Sequence, residues 1–274
     1  MGTRRYMSYS NYYTSSGLFH GSMSSVMGTQ FDILMIGDEP AKLTVIWGKI
    51  QEEIKRLDKM LNRFDQESEV SKLNQTACIY PLVVSEELWR ILQDCKCFFE
   101  WTKGYFDISL QGFEQILLNE DEHSAFFLSD LLKIDFGGYG KGYALSKVEA
   151  LLKNNGIDKA LVNFGNSSIL AVGKHPCGDF WPVSLENPYT KSIVANVKLC
   201  DSSLSVSGNM PSHLCHIINP RTGKFIEERK MVSVVAKDPI VAEVLTTTLM
   251  IAEEASIPDI VSHFDIYEKN IYLL

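Results

Sequence analysis

A glycine-rich loop with a central lysine is the first part of this sequence that could do chemistry. It reads IDFGGYGKGYALSK from Ile134 onwards, with Lys141 in its middle. Glycine adopts positive φ angles at no steric cost, so such a loop can direct several backbone N–H groups at one anion. The N-terminus of the helix that follows would add to this potential. The pattern favours a phosphorylated ligand, but it is neither a P-loop nor a dinucleotide fingerprint, and a tight turn with a solvated lysine is the alternative.

His216 could act as a general base. It lies in the strand-like stretch LCHII, just before an Asn-Pro turn. The pKa of a histidine is close to neutrality, which suits proton transfer at physiological pH. The alternative is a histidine that only forms structural hydrogen bonds at the edge of a sheet.

Glu243, Thr246 and Thr247 could form part of a metal site. Spacings of three and four residues place a carboxylate and hydroxyls on one face of a helix. Mg²⁺ prefers oxygen ligands and takes one or two carboxylates from the protein, which leaves room for a phosphate. The alternative is that Glu is favourable near a helix N-terminus and that Thr bonds back to its own helix.

Two aromatic clusters could contact a flat ring. Phe64 follows Arg63 where a helix is expected to end, and Tyr105, Phe106 and Asp107 occupy a turn that begins with glycine. An aromatic side chain at the rim of a pocket can stack on a ligand. The alternative is that these side chains belong to the hydrophobic core, as most aromatic residues do.

Helices must position these side chains. Apolar residues at steps of three and four predict a long helix over 43–61 and another over about 85–101. A further helix follows the glycine loop to about Asn155, and the last begins at Pro239. The polar segment 65–75 is predicted to be a loop.

The strands concentrate in a different part of the chain. Segment 31–35 alternates apolar and polar residues, and 160–236 contains short apolar segments separated by turns at hairpin spacing. The final residues, NIYLL, are predicted to form a short strand. Because helices and strands segregate, the predicted class is α+β with largely antiparallel sheets.

The overall composition excludes several functions. The chain of 274 residues has a net charge of −8, which argues against a nucleic-acid surface. Its six cysteines form no C-x-x-C pair, so neither a zinc site nor a disulfide framework is expected. No apolar run is long enough to predict a membrane span.

The chain is predicted to contain a flexible arm over 1–18 and a single domain over 19–274. No apolar signal segment follows the basic residues near the start. The expected location is therefore the cytoplasm, or the periplasm or envelope if the true start lies upstream.

The order of these motifs, more than any one of them, resembles the ApbE family of FAD:protein FMN transferases. The segments that carry the resemblance are MGTQFDI (27–33), LNRFDQESEVSKLN (61–74), GYFDIS (104–109), IDFGGYGKGYALSKVEALL (134–152), LVNFGN (161–166), SVSGN (205–209), HIINPRTG (216–223) and VSVVAKD with VAEVLTTTLMI (232–251). They span nearly the whole chain. The glycine–lysine loop and HIINPRTG are the most specific parts.

The resemblance implies an α+β fold related to the T-fold, with a flavin across a central cleft. Family members bind FAD and Mg²⁺, cleave the pyrophosphate of FAD, and pass FMN to a threonine hydroxyl of an acceptor protein with release of AMP. Some members instead hydrolyse FAD to FMN and AMP. The implied partner is thus an acceptor protein with a target Thr.

The resemblance also implies a role for individual residues. His216 matches the proposed catalytic base. The implied contacts to FAD are Met27, Phe64, Tyr105, Phe106, Asp107, Asp135, Lys141 and Ile217. The implied magnesium ligands are Glu243, Thr247 and the backbone carbonyl of Gly140, with Thr246 beside them.

The chain departs from the family pattern at several of these places. Glu243 stands where the family has Asp, and Ser167, Val206 and Asn219 stand where it has Asp, Thr and Asp. The longer carboxylate of Glu243 matters most, because Mg²⁺ tolerates little error in geometry. Two alternatives therefore stay open, namely a non-catalytic FAD-binding protein and an FAD pyrophosphatase that yields FMN and AMP.

Overall fold

The structure, a computed structural model, describes residues 6–109, 112–209, 211 and 217–274. The strands in this part of the chain are β1 (Ser8–Tyr13), β2 (Leu18–Val26), β3 (Thr29–Ile36), β4 (Leu82–Val83), β5 (Ile116–Asn119), β6 (Ser124–Phe127), β7 (Ala160–Phe164), β8 (Ser168–Val172), β9 (Trp181–Glu186), β10 (Ile193–Leu199), β11 (Ser202–Gly208), β12 (Ile218–Asn219), β13 (Lys224–Phe225), β14 (Lys230–Ala236) and β15 (Ile266–Leu273). The helices are α1 (Pro40–Leu61), α2 (Glu69–Thr76), α3 (Glu86–Trp101), α4 (Gly140–Asn154), α5 (Pro239–Ile251) and α6 (Ile257–Ser262).

A large antiparallel sheet organises these elements. Its strand order is β1-β2-β3-β7-β8-β11-β14-β15, and every neighbouring pair is antiparallel. Strands β4, β6 and β5 form a small separate sheet, while β9 with β10 and β12 with β13 form hairpins. The predicted α+β class with antiparallel sheets is confirmed.

Helices cover one face of the sheet and a hairpin covers the other. The apolar face of α1 buries Ile46, Ile50 and Ile54 in the main core, together with side chains of β3 and α4. On the opposite face, Trp181 of β9 and Leu199 of β10 pack in a separate cluster with residues of β8, β11 and β14. The sheet thus separates two hydrophobic layers.

Helix α5 is apolar on nearly all sides, and its position in the fold explains this. It packs against β11, β14 and α4 at once, so most of its residues are buried. Pro239 occupies its first turn, and the carboxylate of Asp238 accepts a hydrogen bond from the amide of Ile240 at 2.8 Å. The predicted start of this helix is confirmed.

Two sequence predictions for the loops were wrong. Residues 8–13 belong to strand β1, which pairs along its length with β2, so the predicted arm over 1–18 is not loose there. Residues 1–5 of that arm lie outside the described residues. Segment 65–75 includes most of α2, because the side chain of Ser68 accepts a hydrogen bond from the amide of Ser71 and caps the helix.

The structure also bears on membrane insertion and on thiol pairing. Across the described ranges, no helix combines the length and the apolar character that crossing a bilayer requires. Cys78, Cys95, Cys97, Cys177 and Cys200 are free thiols, and Cys215 lies outside these ranges.

Candidate functional site

Two adjoining cavities lie where the glycine loop meets α5, β11 and the turn after α3. The larger has a volume of about 480 Å³ and the smaller about 300 Å³. Asp135, Gly137 and Lys141 line both of them. The loop that carries the predicted anion-binding lysine therefore lies at the centre of the candidate site.

Most of the predicted site residues meet at these cavities. The larger cavity is lined by Tyr105, Phe106, Asp107, Asp135, Lys141, Ile217, Glu243 and Thr247, among others. The smaller is lined by Met27, Phe64, Asp135, Gly140 and Lys141, among others. His216 lies outside the described residues, so its role stays a prediction.

Lys141 and Glu243 form an ion pair in the wall of the larger cavity. The Lys141 Nζ lies 2.5 Å from the Glu243 Oε1, and the backbone N–H of Gly142 donates to the Glu243 Oε2. The Glu243 side chain is only 4% exposed, whereas that of Lys141 is 21% exposed. A buried carboxylate requires such partners, because an unpaired charge is costly away from water.

The glycines of the loop serve close packing rather than positive φ angles. Gly137, Gly138, Gly140 and Gly142 are absent from the set of glycines with positive φ, which corrects the sequence-based reason for their presence. A Cβ on Gly142 would lie 2.6 Å from the backbone oxygen of Pro239. Glycine at this position therefore lets α4 approach α5, which brings the Gly142 amide to Glu243.

The two threonines of α5 differ in what they face. Thr247 lines the larger cavity, where a Cβ on Gly138 would lie 3.2 Å from its Oγ1. Thr246 is fully buried and lines neither cavity; its hydroxyl donates to the Glu243 carbonyl and accepts from Ser207. The structure thus contradicts the prediction of Thr246 as a metal ligand, because it faces β11.

Asp107 holds the loop that follows it. Its Oδ1 accepts hydrogen bonds from the amide and the hydroxyl of Ser109, at 2.7 and 2.6 Å. Its Oδ2 accepts from the amides of Gly112 and Phe113. The carboxylate lines the cavity, but these bonds give it a structural role beside the predicted contact with ligand.

Tyr105 joins two sides of the larger cavity. Its hydroxyl accepts a hydrogen bond of 2.8 Å from the Arg221 Nη1, and the guanidinium carbon of Arg221 lies 4.8 Å from the ring centroid. Arg221 follows β12, so this contact ties the turn after α3 to the β12–β13 hairpin. Ile217 lies next to the hairpin and is 8% exposed.

Phe64 is an exposed aromatic residue at the rim of the smaller cavity. Its side chain is 78% exposed, and the guanidinium carbon of Arg63 lies 4.7 Å from its ring centroid. The Arg63 Nε also contacts the Asp135 Oδ2 at 3.1 Å, while the Asp135 Oδ1 accepts from the Gly137 amide. Phe64 is therefore not a core residue, and a free ring face is available for stacking.

Met27 reaches the smaller cavity from a tight turn between β2 and β3. Met27 and Gly28 have φ angles of 44° and 78°, and Val26 pairs with Thr29 across them. Two consecutive positive φ angles are typical of a type I′ hairpin turn.

Sequence reasoning missed several residues at the cavities. Arg63 supplies a guanidinium group to the smaller cavity, Arg221 contacts Tyr105 behind the larger one, and Ser205 and Ser207 form part of the β11 wall. The alternating serines of SSLSVSG were a usable signal, since residues at i and i+2 of a strand share a face. No comparable sequence signal marked Arg63 or Arg221, because a single basic residue in a turn is usually solvated.

The oxygen donors at the two cavities are of the kind that would suit Mg²⁺ together with a phosphate. The described part of the chain contains no group of three or more His, Cys, Asp and Glu residues placed to hold a metal. The carboxylate of Glu243 and the hydroxyl of Thr247 line the larger cavity, and Gly140 lines the adjoining one. Hard oxygen donors in small number suit Mg²⁺ when substrate phosphates complete its shell.

Comparison with known proteins gives a consistent result. A family model described as "ApbE family" matches residues 27–268. FAD:protein FMN transferase of Escherichia coli (strain K12) is 23% identical over 267 residues, covering 82% of this chain and 76% of that protein. FAD:protein FMN transferase of Chlamydia muridarum is 24% identical over 240 residues, covering 73% and 74%.

Solved structures share the fold. The flavin transferase ApbE from Vibrio cholerae superposes with a TM-score of 0.80 at 20% identity, covering 93% of this chain and 97% of that one. The ApbE protein from Thermotoga maritima gives a TM-score of 0.76 at 19% identity, covering 95% and 91%.

Proposed function

Because this chain belongs to the ApbE family, we propose that it is an Mg²⁺-dependent FAD:protein FMN transferase. It moves FMN from FAD to a threonine hydroxyl of an acceptor protein and releases AMP. The relatives named above carry this activity in their names. The observation that carries the proposal is the meeting of Lys141, Glu243 and Thr247 at one cavity beside an exposed aromatic ring.

The two cavities suit a dinucleotide with a diphosphate bridge. Lys141 lines both, so its ammonium can contact a phosphate that links a group in one cavity to a group in the other. Phe64 offers a ring face to the flat isoalloxazine at the smaller cavity. The net charge of −8 makes this local cation necessary, since the overall field repels a polyanion.

The chain's own residues have distinct tasks in the transfer. The threonine oxygen of the acceptor forms a new bond to the phosphorus in the FMN half of FAD. The bond from that phosphorus to the bridging oxygen breaks, and this oxygen leaves with AMP. His216 takes the proton from that hydroxyl as general base. Lys141 offsets negative charge on the phosphates, and Glu243, Thr247 and the Gly140 carbonyl would hold Mg²⁺. That ion, when bound, supplies Lewis-acid stabilisation of the phosphate charge.

An in-gel fluorescence assay tests the proposal. The purified protein is incubated with FAD, Mg²⁺ and a threonine-bearing acceptor of the kind that the family modifies, with a Thr→Val acceptor as control. A fluorescent acceptor band that depends on Mg²⁺ and is absent from the Thr→Val control supports the transferase.

The same incubation distinguishes the two alternatives. Free FMN and AMP without a labelled acceptor indicate a pyrophosphatase, and bound, unaltered FAD indicates a binding protein. Either result overturns the proposed activity for that acceptor class, and chromatography of the nucleotides reads both out.

A further inference from the structure

The carboxylate proposed as the magnesium ligand is already engaged by its own chain. Lys141 occupies the Glu243 Oε1 and the Gly142 amide occupies the Oε2. The other carboxylates that line the larger cavity are Asp107 and Asp135, and each has partners of its own, in the Ser109 loop and in Arg63 with Gly137. Among the described residues that line the larger cavity, every carboxylate therefore already accepts hydrogen bonds or an ion pair from its own chain.

Lys141 opposes metal binding in two ways. Its ammonium competes for the lone pairs of the Oε1, and its charge repels a second cation placed nearby. This repulsion is screened weakly, because Glu243 is almost completely buried. The ion pair of Lys141 and Glu243 is neutral, so it leaves no net charge to attract a divalent ion.

Only Lys141 of the two partners can leave. The Gly142 amide is part of the first turn of α4 and is fixed by the close contact of that turn with Pro239. Lys141 has a flexible four-carbon stem, is partly exposed and lines both cavities, so its ammonium can reach another anion nearby.

We propose that Lys141 is an internal counter-ion that blocks the metal position in the empty protein and that an arriving diphosphate removes it. The ammonium moves from the Glu243 Oε1 to the phosphate oxygens, which frees that oxygen for a divalent cation. Metal and diphosphate therefore bind with positive coupling, and coupling between two sites is reciprocal. This mechanism rests on the proposed function only in taking the diphosphate of FAD as the natural trigger.

Manganese titration of the nucleotide-free protein tests the block. Free Mn²⁺ is followed by electron paramagnetic resonance for the wild type and for Lys141→Met, which removes the charge at similar length. We expect Lys141→Met to bind Mn²⁺ at least tenfold more tightly than the wild type. Lys147→Met is the matched control, because Lys147 lies on the same helix and pairs with Glu87 outside both cavities; we expect it to match the wild type.

Two further variants make the result unambiguous. The double variant Lys141→Met, Glu243→Gln should lose the gain in affinity if Mn²⁺ sits at Glu243. Lys141→Gln replaces Lys141→Met if the latter does not fold, as judged by circular dichroism. Equal Mn²⁺ affinity in the wild type and in a folded Lys141 variant overturns the proposal, as does a gain that survives Glu243→Gln.

The trigger is tested with ADP as the diphosphate. The spectrum of protein-bound Mn²⁺ should appear when ADP is added to the wild type, and it should be absent from Glu243→Gln with the same ADP. Wild-type protein that binds Mn²⁺ as tightly without ADP as with it contradicts the coupling. Neither test measures turnover. A negative result in the transfer assay can therefore be distinguished from evidence that Lys141 does not block the metal position.

Discussion

The backbone of Gly142 lies against the carbonyl of Pro239, at the point where α4 and α5 come closest to the site. A Cβ at position 142 would lie 2.6 Å from the Pro239 oxygen and 2.9 Å from the Cα of Ile240. Both are backbone atoms, so neither can rotate away as a flexible side chain could. This contact explains why a small residue follows Lys141, and it links helix packing directly to the Lys141–Glu243 pair.

Gly142→Ala should destabilise the protein, because α4 and α5 must separate to admit the methyl group. We expect a loss of about 1–3 kcal/mol in the free energy of unfolding, the usual cost of overpacking. Urea denaturation followed by circular dichroism measures it. Gly48→Ala is the control, since nothing lies within 4 Å of a Cβ there and alanine is the better helix former. A Gly142→Ala variant as stable as Gly48→Ala would contradict the packing argument.

Asp107→Asn should weaken the loop that follows the turn after α3. In the wild type, both carboxylate oxygens of Asp107 accept hydrogen bonds from this loop. Asparagine keeps one acceptor oxygen and replaces the other with an NH₂ group, so the donors that faced the lost oxygen have no acceptor. The expected loss is about 1–3 kcal/mol, the cost of leaving buried groups unpaired. Thermal unfolding and calorimetric FAD binding measure stability and affinity separately.

Asp121→Asn provides the control for Asp107, because Asp121 is exposed in the turn between β5 and β6. We expect the Asp121→Asn variant to have the same melting temperature as the wild type. If Asp107→Asn lost FAD affinity without any loss of stability, Asp107 would act on the ligand and not on the loop.

Asp94→Asn should stabilise the protein at neutral pH. Burial raises the pKa of the Asp94 carboxyl, the hydrogen bond from Tyr139 opposes this, and the charge of Asp238 adds to it. Since the folded protein holds this proton more tightly than the unfolded chain, stability falls as pH rises through and above the usual Asp range. Asparagine removes that penalty and can still accept the hydrogen bond from the Tyr139 hydroxyl, which lies 3.3 Å from the Asp94 Oδ2.

The measurement for Asp94 is the free energy of unfolding at pH 7.5 and near pH 4. We expect the variant to exceed the wild type at the higher pH and the difference to shrink at the lower one, where the wild-type carboxyl gains its proton. A variant less stable than the wild type at both pH values would show that the charge of Asp94 contributes to stability.

The sequence predicted the elements of the site better than their internal contacts. Helix α5 was predictable from Pro239 and its apolar pattern, and the antiparallel sheet from short segments at hairpin spacing. Strand β1 was missed because its tyrosines and serines remain exposed at the edge of the sheet, so they give no signal of burial. Helix α2 was missed because it is short and mostly polar.

Within a correctly predicted helix, the direction of each side chain could not be predicted from the sequence. Spacing alone placed Glu243, Thr246 and Thr247 together, but only packing decides that Thr246 faces β11 and Thr247 faces the cavity. The same holds for the glycine loop, whose φ angles are ordinary and whose small residues admit a neighbouring helix. The sequence could not reveal this because the neighbour lies about a hundred residues later in the chain.

Phe64→Ala should reduce FAD affinity while leaving stability almost unchanged. The ring is largely exposed, so folding gains little from it, whereas stacking of aromatic rings contributes about 0.5–1.5 kcal/mol, a factor of roughly 2–13 in affinity. Quenching of FAD fluorescence on titration measures the affinity. Leu131→Ala is the control, because Leu131 is 85% exposed and lines neither cavity. Equal FAD affinity in both variants would remove Phe64 from the flavin site.

His216→Ala should separate binding from chemistry. If His216 takes the proton of the acceptor threonine, its loss slows transfer by about 10²–10⁴-fold, the usual contribution of a general base. FAD affinity should stay close to the wild-type value, because the proposed contacts of Lys141 with the phosphates and of Phe64 with the flavin ring are retained. Single-turnover labelling of the acceptor across pH measures the rate, and the wild-type rise with pH near the histidine pKa should disappear in the variant. Transfer at the wild-type rate with the same pH profile would assign the proton to another group.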